Sequence, residues 1–335
     1  MEYRELGSTG YKVSLVGFGG IPIQRIDGAE AKKVVGRALE LGINFFDTAR
    51  GYTDSEEKLG VALKEHRDKV IIATKSMARD REGMAADIEK SLQALGVDCI
   101  DLYQMHNIKD EETLEKVLKP DGALAALKEA RDQGKIKHIG VTGHVKELLI
   151  KVVKTGEVET VQFPFNAVET NGVRELLDLA TETGVGAIVM KPLAGGALSN
   201  ANFALRYLLE YPVSTVIPGM DSVRQVEENA AVGSNPLPLS AAEREELQRE
   251  VASLGMQFCR RCEYCLPCQQ EIDIPSVFLF EGYYTRYGLK EWAVDRYRAL
   301  KAKPEDCLEC GECEERCPYN LPIRRMLKEA AQKLG

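Results

Sequence analysis

Eight short apolar runs recur along the first two-thirds of the chain, interspersed with segments of different periodicity. They are VSLVGFG (13–19), INFFDTA (43–49), VIIATK (70–75), CIDLYQMH (99–106), HIGVTG (138–143), TVQFPFN (160–166), GAIVMKP (186–192) and VSTVIPG (213–219). Near-continuous apolar runs of this length suit strands buried on both faces. The segments between them space their apolar residues helically, over 28–42, 55–66, 83–96, 121–134, 145–156, 172–184 and 222–232. Gly42, Gly96 and Gly134 provide helix stops, and Asp54, Ser55 and Asp121 provide starts.

Eight strands alternating with helices within about 230 residues predict an α/β fold, a (β/α)8 TIM barrel. An open doubly wound sheet is the alternative. It is disfavoured because GFGG at 17–20 lacks the third glycine of a G-x-G-x-x-G turn. Residues 3–14, with Gly7, Ser8 and Gly10 in turn positions, predict a small hairpin ahead of the barrel. After Pro236 and Pro238 a polar helix is expected over 240–255, with a domain boundary near residue 256. The expected domains are therefore 1–255 and 256–335.

The chain has 335 residues, and 44% are hydrophobic, enough for a large core. A formal net charge of −8 argues against a nucleic-acid or membrane-surface binder. No basic n-region with a long apolar stretch opens the chain, and no apolar run reaches about 18 residues. A cytoplasmic protein is expected.

In a barrel of this kind reactive side chains stand where strands end. The second, third and fourth strands end at Asp47, Lys75 and His106, and Tyr52 follows Asp47 by five residues. A single lysine or histidine there is ordinarily a solvated loop residue. Three consecutive strands ending this way is a stronger signal. A tyrosine hydroxyl is a weak acid, with a pKa of about 10. A neighbouring ammonium stabilises its phenolate. Asp47 can balance a buried Lys75, and His106 can orient a carbonyl oxygen. That set is a proton donor aimed at a carbonyl, as hydride reduction requires.

DTARGY (47–52), Lys75 in ATKS and His106 in YQMH resemble the aldo-keto reductase family, as do MKPLAGG (190–196) and IPGMDSVRQVEEN (217–229). The resemblance covers about 1–235. It implies Tyr52 as general acid, Lys75 and Asp47 as its tuners, and His106 as the substrate-orienting residue. It also implies NADP(H), with NAD(H) as the alternative, bound across the strand ends without a Rossmann motif. The cofactor positions it implies are Gly19, Thr142, Gln162, Met190, Pro192, Leu193, Gly195, Gly219, Ser222, Gln225, Glu228 and Asn229. Several depart from the family pattern. Thr142 and Gly143 stand where many members have Ser-Asn, and Met190 replaces the usual stacking aromatic. Gly219 and Gln225 stand where a lysine and an arginine often bind the 2′-phosphate, a role Ser222 and Arg224 could take. A helix N-terminus after Gly219 is a ready site for phosphate; otherwise that segment is a turn and a capped surface helix.

Of nine cysteines, Cys99 stands alone in an apolar stretch and reads as a buried packing residue. The other eight lie after residue 258, as Cys259, Cys262, Cys265 and Cys268, then Cys307, Cys310, Cys313 and Cys317. In a reducing compartment such clusters are metal ligands rather than disulfides. The second run has the bacterial ferredoxin spacing C-x2-C-x2-C-x3-C-P. The first shortens its last gap and puts its proline before Cys268. Zinc is the alternative, but ligands packed at two-residue gaps suit a cubane better. Two 4Fe-4S clusters in a small, mainly helical ferredoxin-like domain are expected. In two-cluster ferredoxins the fourth cysteine of each run serves the other cluster. Cys259, Cys262 and Cys265 are therefore grouped with Cys317, and Cys307, Cys310 and Cys313 with Cys268. Between the runs, Phe278, Phe280, Tyr283, Tyr284, Tyr287, Trp292 and Tyr297 are expected to pack this domain. The combined pattern resembles a subgroup of aldo-keto reductases with such an extension.

A nicotinamide donates two electrons together and a 4Fe-4S cluster takes one. The expected function is reduction of a small-molecule aldehyde or ketone, or oxidation of an alcohol, with structural or redox-sensing clusters. The alternative is an electron-transfer protein that exchanges single electrons with a redox protein partner or a barrel-bound substrate. Substrate specificity is expected from the loops 77–84 and 107–120.

Overall fold

The structure is a computed structural model describing residues 1–254, 257–285 and 290–335. The chain divides into two compact units: Met1–Ala194 with Leu198–Glu250, and Gly195–Ala197 with Val251–Gly335. The sequence boundary near residue 256 falls outside the described residues.

The first unit opens with a hairpin of β1 (Tyr3–Glu5) and β2 (Lys12–Ser14), in which Tyr3 lies opposite Ser14. Eight parallel strands follow in chain order: β3 (Phe18–Gly19), β4 (Phe45–Asp47), β5 (Ile71–Ser76), β6 (Ile100–Ile108), β7 (Ile136–Gly143), β8 (Thr160–Pro164), β9 (Gly186–Met190) and β10 (Thr215–Ile217). Every apolar run coincides with its expected strand, although β5, β6 and β7 extend one or two residues beyond theirs. All nine residues of β6 are buried, as a strand covered on both faces must be.

The ends of the sheet meet. Gly17 N–H donates to Val216 O (2.9 Å), Val216 N–H to Leu15 O (3.0 Å) and Gly19 N–H to Pro218 O (3.0 Å). Those bonds close the sheet into a barrel and rule out the open alternative. The barrel interior is filled by Phe45, Ile71, Ala73, Leu102, Ile188 and Ile217, and Leu6 and Val13 from the hairpin segment pack against them. The hairpin turn depends on Gly7, at φ +54°. A Cβ there would stand 2.3 Å from Gly186 N, so no other residue fits without moving the backbone.

All seven expected barrel helices form, from Gly28–Glu40 to Val223–Ser234, as does Ala241–Leu254. Four local expectations are corrected. The hydroxyl of Ser55 does not cap its helix; it donates to Gly20 O (3.0 Å) and accepts from Thr48 (2.9 Å) at the barrel mouth. The helix expected to start at Asp121 is capped by Gly122. The loop expected over 107–120 contains the helix Glu111–Leu118, whose first turn Asp110 caps by accepting from Thr113 N–H (2.8 Å). That helix has two turns, too few to display a clear period. Cys99 is only partly buried, because it stands just before β6, where the strand begins.

The second unit is mainly helical: Ile274–Thr285, Lys290–Arg298, Glu312–Glu315 and Ile323–Leu334. Phe278 and Tyr297 are buried in its core, with Phe280, Tyr283 and Tyr284 packed against it. Trp292 stays 43% exposed, edge-on to Phe280 and Tyr283, and is less buried than expected. Tyr287 lies outside the described residues. Among the described residues no helix is long and apolar enough to cross a membrane.

Candidate functional site

Three adjacent strands deliver the charged residues. Asp47 ends β4, Lys75 lies near the end of β5 and His106 near the end of β6. All three are buried, and Lys75 is fully so. The Lys75 ammonium donates to Asp47 Oδ2 (2.6 Å) and Thr48 O (2.7 Å). The Tyr52 ring lies 5.1 Å from Lys75 Nζ and 6.1 Å from the His106 ring, at 87° to it. The four residues selected from the sequence thus form one group. A bare lysine or aspartate could not be held there alone, because burial without a partner is too unfavourable.

Two glutamines complete the floor of the group. Gln104 donates to Gln162 Oε1 (2.9 Å), and both face the Asp47 carboxylate. Gln104 was not selected from the sequence. It lies two residues before His106 on the same strand, hence on the same face, and that spacing was the available signal. Glu56, also unselected, is 1% exposed; Thr74 donates to its Oε1 (2.7 Å) and Arg50 pairs with its Oε2. Arg50 N–H in turn donates to Lys75 O (3.0 Å). These contacts tie the loop bearing Tyr52 to β5.

Burial pulls the Lys75 ammonium down and pushes the Asp47 carboxyl up, and their mutual attraction opposes both shifts. His106 is held well below the usual histidine range by burial, and then by Lys75, Arg79 and Lys191. His144, at the end of β7, is lowered in the same way by burial, Lys191 and Lys146. Both are neutral imidazoles in the fold.

A pH dependence of stability follows. A neutral buried histidine contributes stability that is fully present above the unfolded value of 6.5. It is lost as pH falls below that value, because the unfolded chain then takes up protons that the fold refuses. Each histidine contributes up to about 1.4 kcal/mol per pH unit. The urea midpoint should be level from about pH 8 to 7 and fall from about 6.5 to 5. A combined His106→Asn, His144→Asn variant should flatten that fall; an unchanged slope would mean that other groups carry it.

The positions that the resemblance assigned to a nucleotide lie on or just beyond strand ends. Gly19 ends β3, Thr142 is in β7, Gln162 in β8, and Met190 ends β9. Thr142 Oγ1 accepts from Asn107 N–H (2.9 Å), and Gln162 Nε2 stands 3.9 Å from Met190 Sδ. Pro192 and Leu193 follow β9 after Lys191, then Gly195 at φ +71°, and Gly219 lies two residues beyond β10. Ser222 caps the helix Val223–Ser234, accepting from Gln225 N–H (3.4 Å), while Gln225 accepts from Asp221 N–H (2.8 Å). Glu228 pairs with Arg224 (3.0 Å), and Asn229 is buried.

In the second unit the eight cysteines are not joined by disulfides among the described residues. They line two cavities. One is bounded by Cys259, Cys262, Cys265 and Cys317, the other by Cys268, Cys307, Cys310 and Cys313. Each cavity takes three thiols from one run and one from the other. Among the described residues no three His, Cys, Asp or Glu side chains converge on a single ion. Burial and the neighbouring thiols push Cys265 up. Burial, Glu314, Cys307 and Cys310 push Cys313 up to about 11. Thiols so crowded resist ionisation unless a cationic group lies among them. The donor set therefore fits a thiolate-ligated metal group.

A model of the aldo/keto reductase family matches residues 15–203. The chain belongs to that family. This aldo-keto reductase also matches a 4Fe-4S dicluster domain over residues 258–322. Its similarity to the L-galactose dehydrogenase of Arabidopsis thaliana is 32% identity over 283 residues, covering 69% of this chain and 88% of that protein. An aldo-keto reductase of Bacillus subtilis is 31% identical over 222 residues, covering 59% and 64%. The holo form of an aldo-keto reductase from Bacillus halodurans superposes with a TM-score of 0.66 at 26% identity, over 75% of this chain and 96% of that one.

Proposed function

We propose that residues 1–255 of this aldo-keto reductase reduce an aldehyde or ketone with NADP(H), or with NAD(H) as the alternative, or oxidise the corresponding alcohol. We propose that residues 256–335 carry two 4Fe-4S clusters on the cysteine grouping given above. The observation that carries the first reading is the buried Lys75–Asp47 pair set beside Tyr52 and His106.

A nicotinamide held there would supply a hydride to the carbonyl carbon. Tyr52 Oη gives its proton to the carbonyl oxygen as charge develops there. Lys75 favours the phenolate left behind, and Asp47 keeps the ammonium charged in a buried site. His106 is neutral, so it can hydrogen-bond the carbonyl oxygen without competing as an acid. In the reverse direction Tyr52 accepts the alcohol proton. Gln162 and Thr142 are the side chains suited to hold the nicotinamide amide, with Met190 against the ring. Ser222, Gln225, Glu228 and Asn229 are suited to the adenosine end, and Gly19, Pro192, Leu193, Gly195 and Gly219 to close backbone approach.

The second reading, single-electron exchange with a redox partner, is favoured by one observation: Cys310 of the second cavity is exposed. One anaerobic experiment separates the two. The protein is mixed with NADPH and a panel of aldehydes and ketones, and the nicotinamide and cluster absorptions are followed together. Carbonyl-dependent NADPH oxidation with unbleached clusters supports reductase chemistry. Cluster bleaching by NADPH without carbonyl turnover would overturn it in favour of electron transfer.

A further inference from the structure

The two cysteine runs make the same local turn but are not equally covered. In the first, Cys262 stands between Arg261 and Glu263, left-handed at φ +49° and +64°. In the second, Cys310 stands between Glu309 and Gly311, left-handed at φ +54° and +84°. Yet Cys262 is half-buried, whereas Cys310 is exposed and alone among the eight cysteines in being so.

Their surroundings account for the difference. The first run packs against the segment Gly195–Ala197 of the same unit. Arg261 Nε donates to Gly195 O (2.5 Å), and a Cβ on Gly195 would stand 2.3 Å from Arg260 O. The first cavity is walled by Ile274, Phe278, Leu321 and Ile323, all buried. The second is backed by buried Ile272 and Leu327, but Leu308 beside it is 63% exposed. The loop that carries Cys310 is tied back at Glu309, where Arg324 Nη1 donates to the carbonyl (3.3 Å) and Lys328 pairs with the carboxylate (2.7 Å). Both contacts lie at the surface, where such bonds contribute little and open readily.

We infer that the iron held by Cys310 is the oxidation-labile site of this protein: a one-electron oxidant removes that iron first and leaves Cys310 as a thiol open to modification. The inference rests on the two-cluster reading proposed above. The oxidant takes one electron from the 4Fe-4S centre, which goes from the 2+ to the 3+ state. Fe2+ then leaves for water, and a [3Fe-4S]+ centre stays on the remaining three thiolates. The Cys310 sulfur parts from the departing iron and takes a proton from water. Departure requires water or a chelator to reach the iron and the thiolate to swing aside, and an exposed ligand allows both.

The test treats the reconstituted whole protein, under anaerobic conditions, with ferricyanide, a chelator for the released iron and excess iodoacetamide. Electron paramagnetic resonance reads the three-iron centre, and peptide mass spectrometry reads which thiols are alkylated. About eight irons should fall to about seven. Cys310 should be alkylated about tenfold more than Cys262 or any other ligand. With iodoacetamide left out, Fe2+ and a thiol reductant should restore the lost iron and abolish the three-iron signal. Equal alkylation of Cys262 and Cys310 overturns the inference, as does loss of whole clusters with no three-iron signal. Alkylation of Cys310 before ferricyanide is added also overturns it, because that thiol then holds no iron. Zinc in place of iron would instead overturn the cluster reading beneath it, and the inference with it.

Discussion

Tyr52→Phe is expected to slow carbonyl reduction about 10²–10⁴-fold, the range that a positioned general acid supplies. The substitution removes one oxygen. It leaves the ring beside Lys75 and His106, so the packing of the group is kept. Nicotinamide nucleotide affinity should therefore stay within about twofold, and the loss should fall on kcat rather than on KM. Lys75→Met should be similarly slow but should also destabilise the fold. It leaves Asp47 buried with only the two glutamines facing it, and breaking one side of a buried pair costs about 3–5 kcal/mol. If Tyr52→Phe retains full activity, the proton comes from elsewhere and the role assigned to this tyrosine is wrong.

The second large effect concerns the cysteines. With two 4Fe-4S clusters the protein should hold about eight irons. Cys265→Ser with Cys317→Ser should leave about four, because both ligands belong to one cavity. Cys313→Ser with Cys317→Ser should leave almost none, because it breaks one ligand of each. Grouping by run would reverse those two results. Iron and sulfide analysis after anaerobic reconstitution decides between them, and zinc in place of iron would sink the cluster assignment altogether. Losing a cluster should also lower the unfolding midpoint of the second unit, since ligand-binding free energy there is folding free energy.

The barrel was legible because both of its periods are strong. β6 and its neighbours read as unbroken apolar runs, and Gly42, Gly96 and Gly134 punctuate the helices as expected. The hairpin was legible from Gly7, whose left-handed conformation no side chain could share with Gly186 so near. What sequence reasoning missed follows from its locality. Glu56 looks like an ordinary first-turn helix acid until the fold brings Thr74 and Arg50 to it. Ser55 looks like a cap until Gly20 competes for its hydroxyl. Nothing in the sequence singles out His144, because its burial and its nearness to Lys191, from a distant segment, appear only in the fold. Arg260, one residue after a cysteine, gave no hint of being buried between Phe258 and Tyr319. Pairwise contacts across distant segments leave no periodic trace.

The crossed membership of the two cavities bears on how the protein is made. Neither cavity has its four thiols from a single stretch of chain, so nothing synthesised up to Cys268 can close around iron. On the proposed grouping, the first run waits as bare thiols until Cys317 has been synthesised. Then both proposed cluster sites become complete at almost the same moment. On that grouping, cluster insertion depends on synthesis of the second run, and the interval between the runs is a window in which oxygen can damage the waiting thiols.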